Sequence, residues 1–327
     1  MNKIFCGNAL DVLRSFPDES INMCVTSPPY YGLRDYGVNA QIGNEQTPFE
    51  YIQNLVMVFN EVKRILKADG TLWVNIADSY AGSNRGAWNN PPEVWSAKNV
   101  NPENNKSISA MPKLWNGIKQ KDMIGIPWLL AFSLRDNGWY LRSDIIWHKK
   151  NGMPESVKDR PSKNYEHIFL LAKSPQYYYD FEAIKEPAAQ SSIARYKRGV
   201  SDKGKYANEH IGVTVQPIFN PRTHTDLPDM RNKRDVWSVA TNTTRISGHF
   251  AIYPEKLIEP CILAGSKLGG IVLDPFFGSG TTGVVAVKTG REFIGIDINP
   301  EYCKTAQNRI NEISNETEVI EFGNQNK

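Results

Sequence analysis

The run Ile271-Val272-Leu273-Asp274-Pro275-Phe276-Phe277-Gly278-Ser279-Gly280-Thr281-Thr282 reads as a buried strand, a glycine turn and the start of a helix. Gly278 and Gly280 let the backbone turn tightly and approach a ligand closely, and the new helix offers unpaired amides near the same point. The next strand, Phe293-Ile294-Gly295-Ile296, ends in Asp297, 19 residues after Gly278. An acid at that spacing can accept hydrogen bonds from a ribose, as in dinucleotide-binding folds. No GK[ST] follows the glycines, which excludes a phosphate-binding P-loop. The third glycine of GxGxxG is also missing, although Gly283 lies close by. Asp274 at the strand tip can hold a cationic or amine group. The run therefore favours a nucleoside carrying an amino-acid tail over a dinucleotide.

Further strand-type runs are Lys3–Cys6, Ile21–Thr26, Thr71–Ile76, Ser143–Trp147 and His167–Ala172. Helical periodicity separates several of them. In Tyr51–Leu66 the apolar residues Ile52, Leu55, Phe59, Val62 and Leu66 recur at three- and four-residue steps. Met123–Leu134, Pro254–Leu268, Thr281–Lys288 and Pro300–Ile313 read the same way. Strands alternating with helices predict an α/β fold with a mainly parallel sheet covered on both faces.

Two segments break the alternation. Residues 80–122 are rich in Asn, Pro, Gly, Ser and Trp without a sustained period, and a loop of that length is either functional or partly disordered. Its tryptophans, Trp88, Trp95 and Trp115, can stack on bases or anchor the loop to the core. Residues 185–234 hold ten Lys or Arg against five acids, whereas the whole chain carries only +3. Positive charge concentrated in one insertion suits phosphate contact; taken alone, it equally suits a solvated loop.

Thr26-Ser27-Pro28-Pro29-Tyr30 follows the apolar strand Ile21–Val25, so it sits at a carboxyl strand end, where α/β sheets bind ligands. Two prolines cannot continue a ladder and hold the backbone extended. The carbonyls of Ser27 and Pro28 are then fixed in orientation, Ser27 adds a side-chain acceptor, and Tyr30 supplies an aromatic face. The exocyclic amine of cytosine or adenine is a poor nucleophile, because its lone pair is delocalised into the ring. Two fixed acceptors on its N–H groups push that nitrogen toward a tetrahedral, more nucleophilic form, a preorganised electrostatic effect, while Tyr30 stacks on a base that has left the duplex. An isolated SPPY is more simply a turn with a packed tyrosine; the glycine cradle in the same chain favours the catalytic reading.

With both motifs present, the sequence resembles the β-class DNA amino-methyltransferases. Their (D/N/S)PP(Y/F) motif is matched by Ser27-Pro28-Pro29-Tyr30, and their later FxGxG motif by Phe276-Phe277-Gly278-Ser279-Gly280. The resemblance covers nearly the whole chain apart from the insertion. It implies a seven-stranded, Rossmann-like methyltransferase sheet, circularly permuted so that the cofactor half comes last. The implied division is a catalytic half over 1–184, a target-recognition insertion over 185–236 and a cofactor half over 237–327.

The implied cofactor is S-adenosyl-L-methionine. Its implied site draws on Asn8, Thr26, His249, Phe250, Asp274, Phe276, Phe277, Gly278, Ser279, Gly280, Thr281 and Asp297. Asn8, in Gly7-Asn8-Ala9-Leu10-Asp11, stands where Asp is common. His249-Phe250-Ala251-Ile252-Tyr253-Pro254 resembles the segment that encloses the cofactor's methionine part. The implied partner is double-stranded DNA, with Arg34, Arg195, Lys197, Arg198, Lys203 and Lys205 as contact residues. For Arg34 a structural salt bridge is an equal reading. Enzymes of this class also pair with a cognate restriction endonuclease, and homodimers are common among them. A Ser at the first motif position is frequent in cytosine-N4 enzymes, which favours that target over adenine-N6.

Other chemistry finds less support. Pro260-Cys261 has the form of a cytosine-C5 nucleophile, but Cys261 lies on the helical pattern Leu257, Ile258, Cys261, Ile262 that faces a core. Amine methylation needs no covalent intermediate. The five histidines form no HxxxH or HExxH pattern, so no metal site is expected, and the widely spaced cysteines, with Cys6 and Cys24 in strand-like runs, read as buried reduced thiols. No run of 18 apolar residues and no N-terminal h-region occur, which predicts a cytoplasmic protein with no membrane partner; the resemblance to DNA methyltransferases implies that it is nucleoid-associated. A protein or small-molecule methyltransferase would share a PPY-type loop but has no use for the basic insertion. A nicotinamide oxidoreductase would share the glycine turn and its distal acid. A non-catalytic DNA-binding module leaves the SPPY run without a purpose.

Overall fold

A computed structural model describes residues 2–32, 41–81, 117–119, 121–191, 193, 230–241, 253–314 and 317–322. The strands are β1 (Asn2–Cys6), β2 (Ile21–Thr26), β3 (Leu66–Ile76), β4 (Tyr140–Lys149), β5 (Tyr165–Ala172), β6 (Glu186–Pro187), β7 (Met230–Arg231), β8 (Val236–Val239), β9 (Ile271–Asp274), β10 (Glu292–Asp297) and β11 (Thr317–Glu321). The helices are α1 (Ala9–Arg14), α2 (Pro48–Ile65), α3 (Ile126–Asp136), α4 (Glu255–Gly265), α5 (Thr281–Lys288) and α6 (Pro300–Asn311).

Nine strands form one sheet in the order β11-β1-β10-β9-β2-β3-β5-β4-β8. All neighbours pair in parallel except β5, which runs antiparallel to both β3 and β4. The seven strand runs legible in the sequence are β1, β10, β9, β2, β3, β5 and β4, and β11 and β8 add one strand at each edge beyond the expected seven. The sheet is the expected mainly parallel α/β type. Strands buried on both faces read as continuous apolar runs, as in Ile21-Asn22-Met23-Cys24-Val25-Thr26.

Alternation across the pleat splits the core. Cys24, Leu72 and Val74 join the cluster built with α1, α2 and α3. On the opposite face, Gly265 of α4 lies against Met23 and Trp73. α2 is amphipathic, burying Tyr51, Ile52, Leu55, Val58, Phe59 and Val62. Thr47 caps it by accepting from the Glu50 amide at 2.9 Å, and Pro48 occupies its first turn.

Strand order reverses between β9 and β2. From β9 the chain runs outward through β10, and from β2 it runs the other way through β3. Ligands of open α/β sheets bind outside the carboxyl ends at such a switch point. Both motifs of interest follow these two strands.

The chain comprises two compact units, one made of Met1–Asp180 with Asp235–Lys327 and the other of Phe181–Arg234. In the second, β6 pairs with β7, and Glu186 takes both Arg231 (2.9 Å) and Arg234 (3.2 Å). The expected long loop over 80–122 lies mostly outside the described residues. Its stem is closed by Ala81 N donating to Asp122 O (2.8 Å), Lys121 N to Ala81 O (2.7 Å) and Ile124 N to Ser79 O (3.0 Å). Cys24 and Cys261 are buried as expected, whereas Cys6 is only half-buried because it closes β1 at the sheet margin. Among the described residues no helix is long and apolar enough to cross a membrane.

Candidate active site

A cavity of about 480 Å³ opens at the switch point. Its walls include Asn8, the whole Ser27-Pro28-Pro29-Tyr30 run, Tyr253, Phe276, Phe277, Gly278, Ser279, Thr281, Asp297 and Tyr302. The structure thus brings the two motifs to one space from opposite ends of the sequence.

Asp274 joins the two halves. It is 1% exposed, and both carboxylate oxygens are filled from within the protein. Oδ1 accepts from Thr26 Oγ1 (2.5 Å) and the Phe276 amide (3.0 Å). Oδ2 accepts from Thr282 Oγ1 (2.5 Å) and Tyr253 Oη (2.8 Å). Burial pushes the Asp274 carboxyl above its ordinary range while these donors pull it back. The same burial and the Asp274 charge keep the Tyr253 phenol protonated and therefore a donor. Asp274 and Thr26 lie behind the cavity wall, where they lock the end of β2 to the end of β9.

The glycine turn has its own supports. Gly278 and Gly280 take φ of +51° and +80°. A Cβ on Gly280 would come within 2.7 Å of Ala306 Cβ, so the turn sits tightly against α6. Phe277 is 3% exposed, stacks on Phe293 (5.4 Å, 14°) and covers Gly295, where any side chain would enter its ring. Arg309 of α6 donates to the Ser279 carbonyl at 2.5 Å and to its hydroxyl at 3.0 Å. Burial lowers the pKa of this guanidinium.

Asp297 lines the cavity at the end of β10. Its Oδ2 accepts from the Gly278 amide (2.7 Å) and its Oδ1 from the Asn299 amide (2.8 Å). An ionised carboxylate offers about four acceptor sites, so two such bonds leave room for a vicinal diol. Burial raises this carboxyl to about 6. Asn8 also lines the cavity, next to Gly7, whose amide donates to the Asp297 carbonyl (2.9 Å), and its Oδ1 caps α1 by accepting from the Leu10 (3.0 Å) and Asp11 (3.4 Å) amides.

The SPPY loop is held from two directions. Buried Tyr51 of α2 donates to the Pro29 carbonyl at 2.7 Å. Tyr30 Oη donates to Glu166 Oε2 at 2.6 Å and accepts from Ser27 Oγ at 3.4 Å. Glu166, 6% exposed, also takes Asn75 Nδ2 on Oε2 (2.9 Å) and Lys149 Nζ on Oε1 (2.5 Å). Burial, reinforced by the Glu166 charge, holds the Tyr30 phenol well above its ordinary pKa.

Tyr51, Glu166, Lys149, Asn75, Tyr302 and Arg309 carry no signal in the sequence that marks them for the site, and Tyr253 is marked only as the end of the segment that begins at His249. His249, Phe250, Arg34, Arg195, Lys197, Arg198, Lys203 and Lys205 lie outside the described residues.

Residues 21–308 match the family model for DNA methylases. The chain belongs to the N4/N6 DNA methylase family. It is 46% identical to the type II methyltransferase M.Cfr9I of Citrobacter freundii, over 94% of this chain and 87% of that one. It is 43% identical to M.SmaI of Serratia marcescens, over 94% and 90%. The fold matches a cytosine-N4-specific PvuII DNA methyltransferase with a TM-score of 0.61 at 19% identity, covering 98% of this chain and 95% of that one. It also matches a Thermus thermophilus protein complexed with S-adenosyl-L-methionine, with a TM-score of 0.60 at 20% identity over 99% and 100%. This N4/N6 DNA methylase is an S-adenosylmethionine-dependent DNA methyltransferase. Its cavity suits that cofactor: an acidic wall at Asp297, backbone turned close by Gly278, and the apolar rings of Phe276 and Tyr302.

Proposed function

We propose that this enzyme methylates the N4 amine of a flipped cytosine at a specific DNA sequence. Ser27 at the head of the motif carries the reading, because a hydroxyl there presents an acceptor to the amine without a second charge beside the cofactor. The cytosine-N4 specificity of the PvuII enzyme agrees with it. Asp297 would hold the ribose, Gly278, Ser279 and Thr281 the turn around it, with Asn8 and Tyr253 completing the cofactor's walls. S-adenosylmethionine, when bound, supplies an electrophilic methyl group.

The chain's own residues prepare the amine. Ser27 Oγ and the Pro28 carbonyl accept its two N–H bonds and concentrate its lone pair. The Tyr51 bond to the Pro29 carbonyl fixes the loop that carries both acceptors. Tyr30 supports the base by stacking once it leaves the duplex. The basic residues of the 185–236 insertion and Arg34 contact phosphates. The likeness to type II methyltransferases extends the proposal to a cognate endonuclease, acting on the same DNA in the cytoplasm.

Labelled cofactor and mixed-sequence duplex DNA should yield labelled DNA, and mass analysis of the digested nucleosides should show N4-methylcytosine. Ser27→Ala should abolish transfer. N6-methyladenine in the digest would replace the cytosine assignment, and no label in diverse DNA would overturn the reading.

A further inference from the structure

Tyr30 owes its place to a residue that belongs to neither motif. We infer that Glu166 is a positioning residue for the known reaction: it anchors the hydroxyl of Tyr30 so that the ring stays set to receive the flipped base. The inference rests on the stacking role proposed for Tyr30.

Glu166 sits at the amino end of β5, opposite Trp147 in the register with β4. Because β5 alone runs against its neighbours, its first residues reach the same carboxyl edge of the sheet where β2 delivers the SPPY loop. The 2.6 Å bond from Tyr30 therefore spans 136 residues of sequence. Prolines fix the backbone before Tyr30 but leave its side chain free to rotate, and the hydroxyl is the one polar handle by which the ring can be held.

A buried carboxylate is costly unless it is paired and hydrogen-bonded. This one is met by a phenol, an amide and an ammonium. Lys149 answers the charge on Oε1, which leaves Oε2 to Tyr30 and Asn75. A phenol donating to an ionised carboxylate is roughly twice as strong as a neutral pair. The Tyr30 bond fixes the ring at its far end, and the ring lines the cavity. Preset stacking groups spare the ordering cost that base capture would otherwise carry.

The test is a double-mutant cycle on the full chain. Glu166→Gln and Tyr30→Phe should each lower kcat about tenfold, the scale of one bond to a charged group. Each should leave the KM for S-adenosylmethionine within about twofold. The double variant should be no slower than Tyr30→Phe alone. 2-Aminopurine replacing the target base reports stacking directly: its emission, quenched by the ring in the wild type, should rise equally in both single variants and no further in the double. Multiplying defects, or unchanged quenching in Glu166→Gln, would overturn the inference while wild-type methylation stands. A wild-type enzyme that labels no DNA would remove the proposed reaction and this inference together.

Discussion

With Asp297 holding the cofactor's ribose as proposed, its elevated carboxyl makes cofactor affinity a function of pH in a predictable direction. In the free enzyme this group titrates at about 6 because burial disfavours its charge, although two backbone amides favour it. A ribose diol donates hydrogen bonds and so binds the ionised form. Affinity is then complete well above pH 6 and declines as pH falls through it. At pH 5 about one-tenth of the enzyme is ionised, so binding of S-adenosylhomocysteine should weaken about tenfold, or about 1.4 kcal/mol. At pH 6 binding should release about half a proton, since the bound carboxylate stays ionised. Calorimetric titration from pH 5 to 8, in two buffers of different ionisation enthalpy, measures both quantities. S-adenosylhomocysteine has no group that titrates within this range. Asp297→Asn should lower affinity about 10- to 100-fold, by loss of bonds to a charged acceptor, and should flatten the profile. Constant affinity across the range in folded protein, or a pH step that persists in Asp297→Asn, would refute the assignment.

Three further outcomes follow from the scaffold. Gly280→Ala places a Cβ 2.7 Å from Ala306 at a φ of +80°, and should lower stability by about 1–3 kcal/mol, seen as a reduced Tm that saturating S-adenosylhomocysteine partly restores. Asp274→Ala leaves the Phe276 amide and the Thr26 hydroxyl without their acceptor; a urea midpoint should report about 2–5 kcal/mol of destabilisation. Tyr51→Phe removes the donor to the Pro29 carbonyl; it should cost about 1 kcal/mol in the same unfolding measurement and lower kcat, while S-adenosylhomocysteine binding is unaffected.

Strand and helix runs with strong periodicity were legible because burial on both faces leaves an unbroken apolar signature. Ile21–Thr26 and Thr281–Lys288 coincide with β2 and α5. The short α1 was not legible, since six residues give too little period and only Asn8 marks its start. Nor were the edge strands β8 and β11, which lack the doubly buried pattern. Of the site, the residues in local motifs could be read, and the residues that hold them could not. Glu166 reaches Tyr30 only because β5 is antiparallel and adjacent to β3, which no local pattern encodes. Asp274 shows the opposite difficulty. Its residue type and strand-tip position suggested a ligand contact, but whether such a carboxylate faces the cavity or ties two strands beneath it depends on Thr26, 248 residues away.

The sheet order has a consequence for how the enzyme is made. β1 and β2 leave the ribosome long before β9 and β10, yet β10 and β9 fill the space between them. Thr26 and Asp274 face each other across that seam, 248 residues apart. At 5–20 residues per second, the nascent polypeptide waits on the order of ten to fifty seconds with that gap open. Bare strand margins invite mispairing in that interval, which makes chaperone shielding of early intermediates valuable. A product truncated before residue 271 lacks β9 and β10, and with them the Gly278 and Asp297 side of the cavity.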